Sequence, residues 1–237
     1  PGDEVITPAA TFPTTVAPIV QHGLVPVFVD CTLGTYNVDP DQVERAISDR
    51  TRALFVPHML GNACQMNRLV EIADRHGLYL IEDVCESMGT RFEGRLLGTF
   101  GQLSTFSFYP PHHITTGEGG MLVTDDAALA KTARSLRDWG RDCWCDYRTG
   151  GPRGACGRRF DYQIPGVPRA YDPRFLYSNI VYSLRPTDLQ AALGLSQLKK
   201  FSAFAAARKR NFDVLYQGLA PLEEHLILPA WDERADV

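Results

Sequence analysis

Short apolar segments alternate with amphipathic segments along the first third of this 237-residue chain. Apolar runs at 5–7, 25–29, 53–56 and 78–81 predict strands, and the intervening segments 14–22, 39–48 and 68–76 carry helix caps and helical periodicity. The run 78–81 is continuously apolar, as expected for a parallel strand that is covered on both faces. This alternation predicts an α/β fold with a mostly parallel sheet between helices.

Charge and hydropathy exclude two classes of partner. The chain is 44% hydrophobic and 22% charged, with a formal net charge of -4. A mildly acidic surface attracts neither nucleic acid nor an anionic membrane, and no apolar run reaches the roughly 18 to 20 residues that span a bilayer. We therefore expect no nucleic-acid and no membrane partner. The opening Pro1-Gly2 reads as a turn entering a strand, so we expect an excerpt of a longer protein that lacks its N-terminal part.

A stretch from Ser104 to Gly120 is predicted to leave the sheet at its ligand-binding edge. Its apolar residues form a strand, Pro110 and Pro111 must end that strand, and His112 and His113 follow before a glycine-rich turn. Parallel sheets bind ligands at the carboxyl ends of their strands, so the two imidazoles are candidate site residues. A pair of histidines in a solvated surface loop would have the same sequence.

Asp83 ends the predicted strand at 78–81 and is a second candidate. A carboxylate at the end of a buried strand needs a cationic or hydrogen-bonding partner. The protonated ring nitrogen of a pyridoxal-type cofactor is one such partner. Capping of the following helix is the other interpretation.

Cysteine and lysine counts bear on the chemistry. Six cysteines in a chain with this apolar content favour metal ligation or burial over a disulfide scaffold. Three of them fall in the segment 141–174, which shows no periodicity and is long enough to require a function or a metal to order it. The four lysines are Lys131, Lys199, Lys200 and Lys209, so the first 130 residues contain none.

Several motifs together resemble a known family. They are TPAATF at 7–12, IED at 81–83, GTFG at 98–101, FSFYP at 106–110, GEGG at 117–120 and TDLQAALG at 187–194. In this order they resemble the sugar aminotransferase (DegT/DnrJ/EryC/StrS) family of pyridoxal phosphate enzymes. The resemblance implies a fold-type I, aspartate aminotransferase-like large domain at 1–186, with 141–174 as a cluster-bearing loop. Residues 187–237 would be a connecting helix and the start of a small C-terminal domain.

The resemblance also implies roles for single residues. Asp83 would pair with the pyridine nitrogen of the cofactor, and Phe12 would stack on its ring. Ser107 would contact the phosphate or the phenolic oxygen, and Glu86 would lie beside the ring. The family further implies a cytoplasmic homodimer.

His112 stands where members of this family carry the lysine that holds the cofactor covalently. An imidazole forms no stable Schiff base, which excludes ordinary transamination, but it transfers protons near neutral pH. The histidine resembles the 3-dehydrase branch, which implies His112 as the catalytic base and free pyridoxamine phosphate as the cofactor. The implied reaction is removal of the C3 hydroxyl of a CDP- or dTDP-linked 4-keto-6-deoxyhexose in deoxysugar biosynthesis.

The cysteines resemble those of the iron-sulfur members of that branch. Cys85, Cys143, Cys145 and Cys156 would bind a [2Fe-2S] cluster that relays electrons from a flavin/iron-sulfur NAD(P)H-dependent reductase. Zinc suits four thiolates equally well by ligand count. Cys31 and Cys64 are predicted to be buried thiols.

Two alternatives remain open at this point. A cluster-free dehydrase would keep His112 and regenerate its cofactor with glutamate, although the four cysteines argue against it. A noncatalytic relative would bind only cofactor or sugar nucleotide, and the retention of Asp83, Ser107 and His112 disfavours it.

Overall fold

The computed structural model describes residues 1–143, 165–168 and 171–236. The chain divides into two compact units, one made of residues 1–124 with 188–237 and the other of residues 125–187. The division lies close to the predicted start of a connecting helix. The boundary predicted at 186/187 nevertheless stays a prediction.

Nine strands occur in the described part of the chain. They are β1 (Glu4–Pro8), β2 (Val25–Val29), β3 (Thr51–Pro57), β4 (Tyr79–Asp83), β5 (Arg91–Phe92), β6 (Arg95–Leu96), β7 (Leu103–Ser107), β8 (Gly120–Val123) and β9 (Ala235–Asp236). Six α-helices accompany them within the same residues. These are α1 (Pro13–Gln21), α2 (Pro40–Arg45), α3 (Met66–His76), α4 (Ala127–Arg137), α5 (Asp188–Leu198) and α6 (Phe201–Leu219).

The main sheet of the first unit has six strands in the order β2-β1-β3-β4-β7-β8. Every neighbouring pair is parallel except β7 and β8, which run antiparallel. The predicted α/β fold with a mostly parallel sheet is therefore confirmed.

The core of the first unit forms where one face of this sheet meets α3. Leu54 of β3 and Leu80 of β4 are almost fully buried, and α3 contributes Met66, Leu69 and Ile72. These positions on α3 recur at helical spacing, which places them on one face of the helix. Burying each such side chain stabilises the fold by about 1.5–3 kcal/mol.

Local signals predict most helix ends, with some differences. Asp39 caps α2 through the amide of Asp41, as predicted. Gln42 also reaches back to this cap, since its Nε2 donates to Asp39 Oδ2 at 3.4 Å, and its Oε1 accepts from the amide of Asp30 at 3.2 Å. Helix α2 ends at Arg45 rather than near Ser48. The short antiparallel sheet β6-β5-β9 was not predicted, because it pairs segments about 140 residues apart.

The second unit begins with α4, which Asp126 caps through the amides of Ala128 and Leu129. Single β-bridges join Asp138 to Ser183 and Arg141 to Tyr177. Most of the predicted cluster-bearing loop lies outside the described residues. No helix in the described part of the chain is long and apolar enough to cross a bilayer.

Candidate active site

A cleft of about 740 Å³ opens in the first unit at the carboxyl ends of β3, β4 and β7. The ends of these strands contribute Pro57, Asp83 and Ser107 to its wall. Six residues predicted for the site line this one cleft: Phe12, Asp83, Cys85, Glu86, Ser107 and His112. The structure therefore brings together residues that are up to 100 positions apart in the sequence, since parallel strands end at one edge of the sheet.

The Asp83 carboxylate is oriented by two hydrogen bonds. Its Oδ2 accepts from the hydroxyl of Thr15 at 2.9 Å, and its Oδ1 accepts from the amide of Cys85 at 3.1 Å. Thr15 is itself buried in the first turn of α1 and accepts from the hydroxyl of Thr11 at 3.1 Å. This chain of hydroxyls fixes the direction of the carboxylate and was not predicted from the sequence.

Glu82 precedes Asp83 and faces the other side of the sheet, because successive side chains on a strand alternate. It is fully buried, and its two oxygens accept from the amides of Gly98, Phe100 and Gly101, each at 2.7 Å. The close approach requires glycine at 101, since a Cβ there would lie 2.2 Å from the carbonyl oxygen of Leu80.

His58 supplies the fourth hydrogen bond to Glu82, from Nε2 at 3.2 Å. Its Nδ1 accepts from the amide of Cys64 at 3.2 Å, so this arrangement has the ring proton on Nε2. Burial by itself raises the pKa of Glu82, but the hydrogen bonds from His58, Gly101 and Gly98 outweigh burial and lower it. The backbone amide of His58 also donates to the carbonyl of Asp83 at 3.1 Å, which ties this network to the cleft.

Phe12 presents its ring to the cleft. It is the N-cap residue of α1, next to Pro13, and 68% of it is exposed. An exposed aromatic face beside an oriented carboxylate can stack on a planar heteroaromatic ring.

The turn that follows β7 carries both histidines. Ser107 Oγ accepts from the amide of Tyr109 at 3.2 Å, and the amide of His112 donates to the carbonyl of Tyr109 at 3.1 Å. The rings of Tyr109 and His112 meet edge-to-face with centroids 6.4 Å apart. His112 therefore lies in the wall of the cleft. This position argues against the alternative interpretation, in which the two histidines belong to a solvated surface loop.

His113 also lines the cleft but has a different environment. Burial lowers its pKa to about 4, and the charges of Arg208 and His112 add to this effect. Arg208, on α6, donates to the carbonyl oxygens of both histidines. The contact spans about 95 residues of sequence, and no local signal predicts it.

Glu86 supports the loop that carries Leu60. Its Oε2 accepts from the amide of Leu60 at 2.7 Å. Leu60 has a φ of 56°, which is uncommon for a non-glycine residue, and it lines the cleft. The strained Leu60 therefore contacts Glu86, a residue that was predicted for the site.

The predicted cluster ligands are only partly described. Cys85 lines the cleft in the first unit, where burial and then the charge of Asp83 raise the pKa of its thiol. Cys143 belongs to the second unit, and Cys145 and Cys156 lie outside the described residues. Among the residues that are described, no group of three or more potential ligands could hold a metal ion. The [2Fe-2S] site stays a prediction.

The two remaining cysteines differ from each other. Cys64 is fully buried, as predicted, with its sulfur 3.3 Å from the carbonyl oxygen of Pro57. Cys31 was also predicted to be buried, but it is only half-buried and forms an isolated antiparallel bridge with Val38.

Curated relatives match the whole chain. It is 52% identical over 236 residues to the dTDP-4-dehydro-2,6-dideoxy-D-glucose 3-dehydratase of Saccharopolyspora spinosa, covering 100% of this chain and 50% of that protein. It is 48% identical over 236 residues to the lipopolysaccharide biosynthesis protein RfbH of Salmonella typhimurium, covering 100% and 53%. The chain thus spans about half the length of these relatives.

Solved structures match the fold. The chain superimposes on the E. coli GDP-4-keto-6-deoxy-D-mannose-3-dehydratase with bound hydrated PLP with a TM-score of 0.77 and 32% identity, covering 94% of this chain and 54% of that one. The predicted fold-type I architecture is confirmed by this and similar aminotransferase structures. Residues 1–236 match the DegT/DnrJ/EryC1/StrS aminotransferase family, and the chain belongs to that family.

Proposed function

We propose that this chain forms the cofactor- and substrate-binding part of a nucleotide-linked 4-keto-6-deoxyhexose 3-dehydratase that uses pyridoxamine phosphate. One observation carries the proposal: His112 lines the same cleft as Asp83, Phe12 and Ser107. No lysine lines that cleft within the described part of the chain. The site therefore offers a proton-transfer group where a covalently bound cofactor would need a primary amine.

The residues present suit this cofactor. Asp83 supplies an oriented carboxylate for a protonated ring nitrogen, and Phe12 supplies an exposed aromatic face. Ser107 supplies a hydroxyl at the end of β7. When bound, pyridoxamine phosphate supplies an amine that condenses with ketones and a ring that acts as an electron sink.

His112 performs the proton transfer in this proposal. Its imidazole accepts a proton from the carbon activated by the cofactor, and either His112 or a neighbouring group returns a proton to the departing C3 hydroxyl. His113 is a poor candidate for the base, because a pKa near 4 leaves little basicity. The neutral ring of His113 adds no positive charge beside His112.

The substrate class follows from the relatives and from the cleft. Three relatives are named as 3-dehydratases of nucleotide-linked keto sugars; the name of one specifies dTDP and the names of the other two specify GDP. The dTDP name belongs to the relative with 52% identity, and CDP is the other nucleotide implied by the family resemblance, so a CDP- or dTDP-linked 4-keto-6-deoxyhexose is the proposed substrate. The remaining half of the protein and a partner subunit in a homodimer would complete its binding.

The electron relay rests on the sequence alone. Removing the C3 hydroxyl with retention of the 4-keto group requires two electrons, and Cys85, Cys143, Cys145 and Cys156 match a four-thiolate [2Fe-2S] pattern. An NAD(P)H-dependent flavin/iron-sulfur reductase is the proposed donor. Iron analysis and visible spectra of anaerobically purified full-length protein test this part. About two irons per chain would support it, and iron-free protein with full turnover would contradict it.

The test of the proposed function is exchange of the C4' hydrogen of labelled pyridoxamine phosphate in the presence of dTDP- or CDP-4-keto-6-deoxyglucose. His112→Asn should slow this exchange by roughly 10²- to 10⁴-fold, the usual contribution of a general base. His225→Asn is the matched control, because His225 is an exposed histidine outside the cleft. Undiminished exchange in the His112 variant would remove His112 from this role.

A second variant tests the position of His112. His112→Lys places a primary amine in the wall of the cleft, where it should react covalently with pyridoxal phosphate. Borohydride trapping followed by peptide mass spectrometry should find the label on residue 112. A label only on native lysines such as Lys199 or Lys200, which lie between α5 and α6, would show that residue 112 does not reach the cofactor.

A further inference from the structure

Arg208 holds two consecutive carbonyl groups of the histidine turn. Its Nη2 donates to the carbonyl of His112 at 3.2 Å, and its Nη1 donates to the carbonyl of His113 at 3.4 Å. Both contacts lie within the first unit, and Arg208 itself lines the cleft. Its planar guanidinium matches two neighbouring acceptors in a way that a lysine ammonium cannot.

The position of the turn matters for the position of the imidazole. Tyr109 and His112 close a backbone turn whose two central residues are the prolines, with one hydrogen bond from the amide of His112 to the carbonyl of Tyr109. Fixing the carbonyls of residues 112 and 113 orients the peptide planes on either side of His113. The Cα–Cβ direction of His112 is then set from outside the turn, by α6.

Arg208 has no competing partner among the described residues. No carboxylate lies within ion-pair distance of it there, whereas the next residue, Lys209, pairs with Asp236 at 3.0 Å. The guanidinium therefore binds the turn without competition from a carboxylate among the described residues. Its charge also contributes to the lowered pKa of His113.

We propose that Arg208 is a positioning residue that acts from α6 to hold the turn at 112–113 so that the His112 imidazole faces the cleft. The inference rests on the proposed role of His112 as the base. It adds a residue that is neither in the predicted site nor close to it in sequence. The same contact couples α6, near the C-terminal end of the unit, to the catalytic turn.

Three variants of the full-length protein test this inference. Arg208→Gln removes the guanidinium with its two donor nitrogens and its charge. Arg208→Lys keeps the charge but offers a single donor group. Arg210→Gln is the control, because it removes an exposed cation two positions away on the same helix. Arg208→Gln should slow C4' hydrogen exchange by roughly 10- to 100-fold, as misplacement of a reacting group does. Arg208→Lys should recover part of that loss, and Arg210→Gln should match the wild type.

A spectroscopic measurement separates positioning from a general loss of structure. In protein with ¹³C-labelled histidine and no cofactor or substrate, Arg208→Gln should shift or broaden the His112 and His113 ring signals while the His225 signal stays in place. Variants lacking His112 or His113 assign the signals. Unchanged ring signals, or exchange equal to that of Arg210→Gln, would overturn the inference.

Failure of the proposed function gives a different result. If His112→Asn leaves exchange unchanged, His112 is not the base, whatever Arg208 does. If His112→Asn abolishes exchange and Arg208→Gln does not slow it, only the positioning role is wrong. Affinity for pyridoxamine phosphate should stay within about threefold of wild type in the Arg208 variants, because the ring-binding contacts of Asp83 and Phe12 are untouched.

Discussion

Glu82 and Asp83 are consecutive carboxylates on β4 with opposite surroundings. Glu82 is fully buried and accepts four hydrogen bonds from the protein, three of them from backbone amides. Asp83 faces the cleft and accepts two. The strand thus presents one carboxylate that the fold satisfies completely and one with capacity left for a ligand.

The comparison indicates that the two faces of β4 have different roles, one in stability and one in function. The Glu82 side joins the 98–101 turn and His58 to the sheet, and losing it leaves buried donors without an acceptor. Asp83 is only half-buried and lines the cleft, so the same chemical change leaves solvent as a replacement partner. Stability should depend on the first side and ligand binding on the second.

The largest expected effect is on folding, from Glu82→Gln. The amide is nearly isosteric, but its NH₂ group must face at least one of the buried donors that the carboxylate accepts. We expect a loss of about 3 kcal/mol in the free energy of unfolding, the scale of a broken buried charge contact. Urea unfolding of the purified protein measures it.

Asp83→Asn is the matched control for that experiment. It makes the same change one residue along, where solvent is accessible, and should alter the free energy of unfolding by less than about 1 kcal/mol. Equal losses in the two variants would break the comparison between the two sides.

The next effect is on cofactor affinity, and there the order of the two variants reverses. Asp83→Asn removes the ionised partner proposed for the ring nitrogen. A hydrogen bond to a charged group contributes about 1.5–3 kcal/mol, so affinity for pyridoxamine phosphate should fall roughly 10- to 100-fold. Calorimetric titration measures it under conditions in which both variants are folded. Equal affinity in Asp83→Asn and wild type would contradict the proposed pairing.

The Asp83 side and the Glu82 side should lose stability in different pH ranges. The pKa of His113 is lowered from 6.5 to about 4, so the unfolded chain takes up a proton first and stability falls as pH drops from 6.5 towards 4. The lowered pKa of Glu82 gives stability that is present above the unfolded value of 4.5 and is lost only below it.

His113→Asn should remove the first loss and leave the second. Urea unfolding at pH 7, 5.5 and 4.5 checks this, with His225→Asn as the control for an exposed histidine. A slope between pH 6.5 and 4.5 that persists in His113→Asn would show that another group causes it.

The sequence predicts this edge of the sheet well and its supporting contacts poorly. Strand ends place Asp83 and Ser107, because the end of an apolar run is a local signal, and family resemblance adds Phe12 and His112. The alternation of a strand shows that Glu82 and Asp83 face opposite sides but not which side is the core. That depends on the 98–101 turn and His58, which come together only in the folded chain.

Long-range contacts account for the other features that the sequence does not predict. Arg208 reaches the histidine turn across about 95 residues, and β9 pairs with β5 across a longer span. Neither contact leaves a periodicity, a cap or a turn motif in the sequence. In contrast, the capping residues Asp39 and Asp126 act on amides within three positions, and such contacts are what local patterns encode.

The smallest expected effect comes from Thr15→Val, which tests whether the Asp83 side is oriented by its hydroxyl partners. Valine has nearly the same shape and removes only the hydroxyl that donates to Asp83 at 2.9 Å and accepts from Thr11. A typical hydrogen bond contributes about 1 kcal/mol, so cofactor affinity should fall about fivefold with a similar small change in unfolding free energy. Thr15→Ser keeps the hydroxyl and should bind like wild type. If the serine variant loses as much affinity as the valine variant, the methyl packing of Thr15 in α1 and not its hydroxyl orients Asp83.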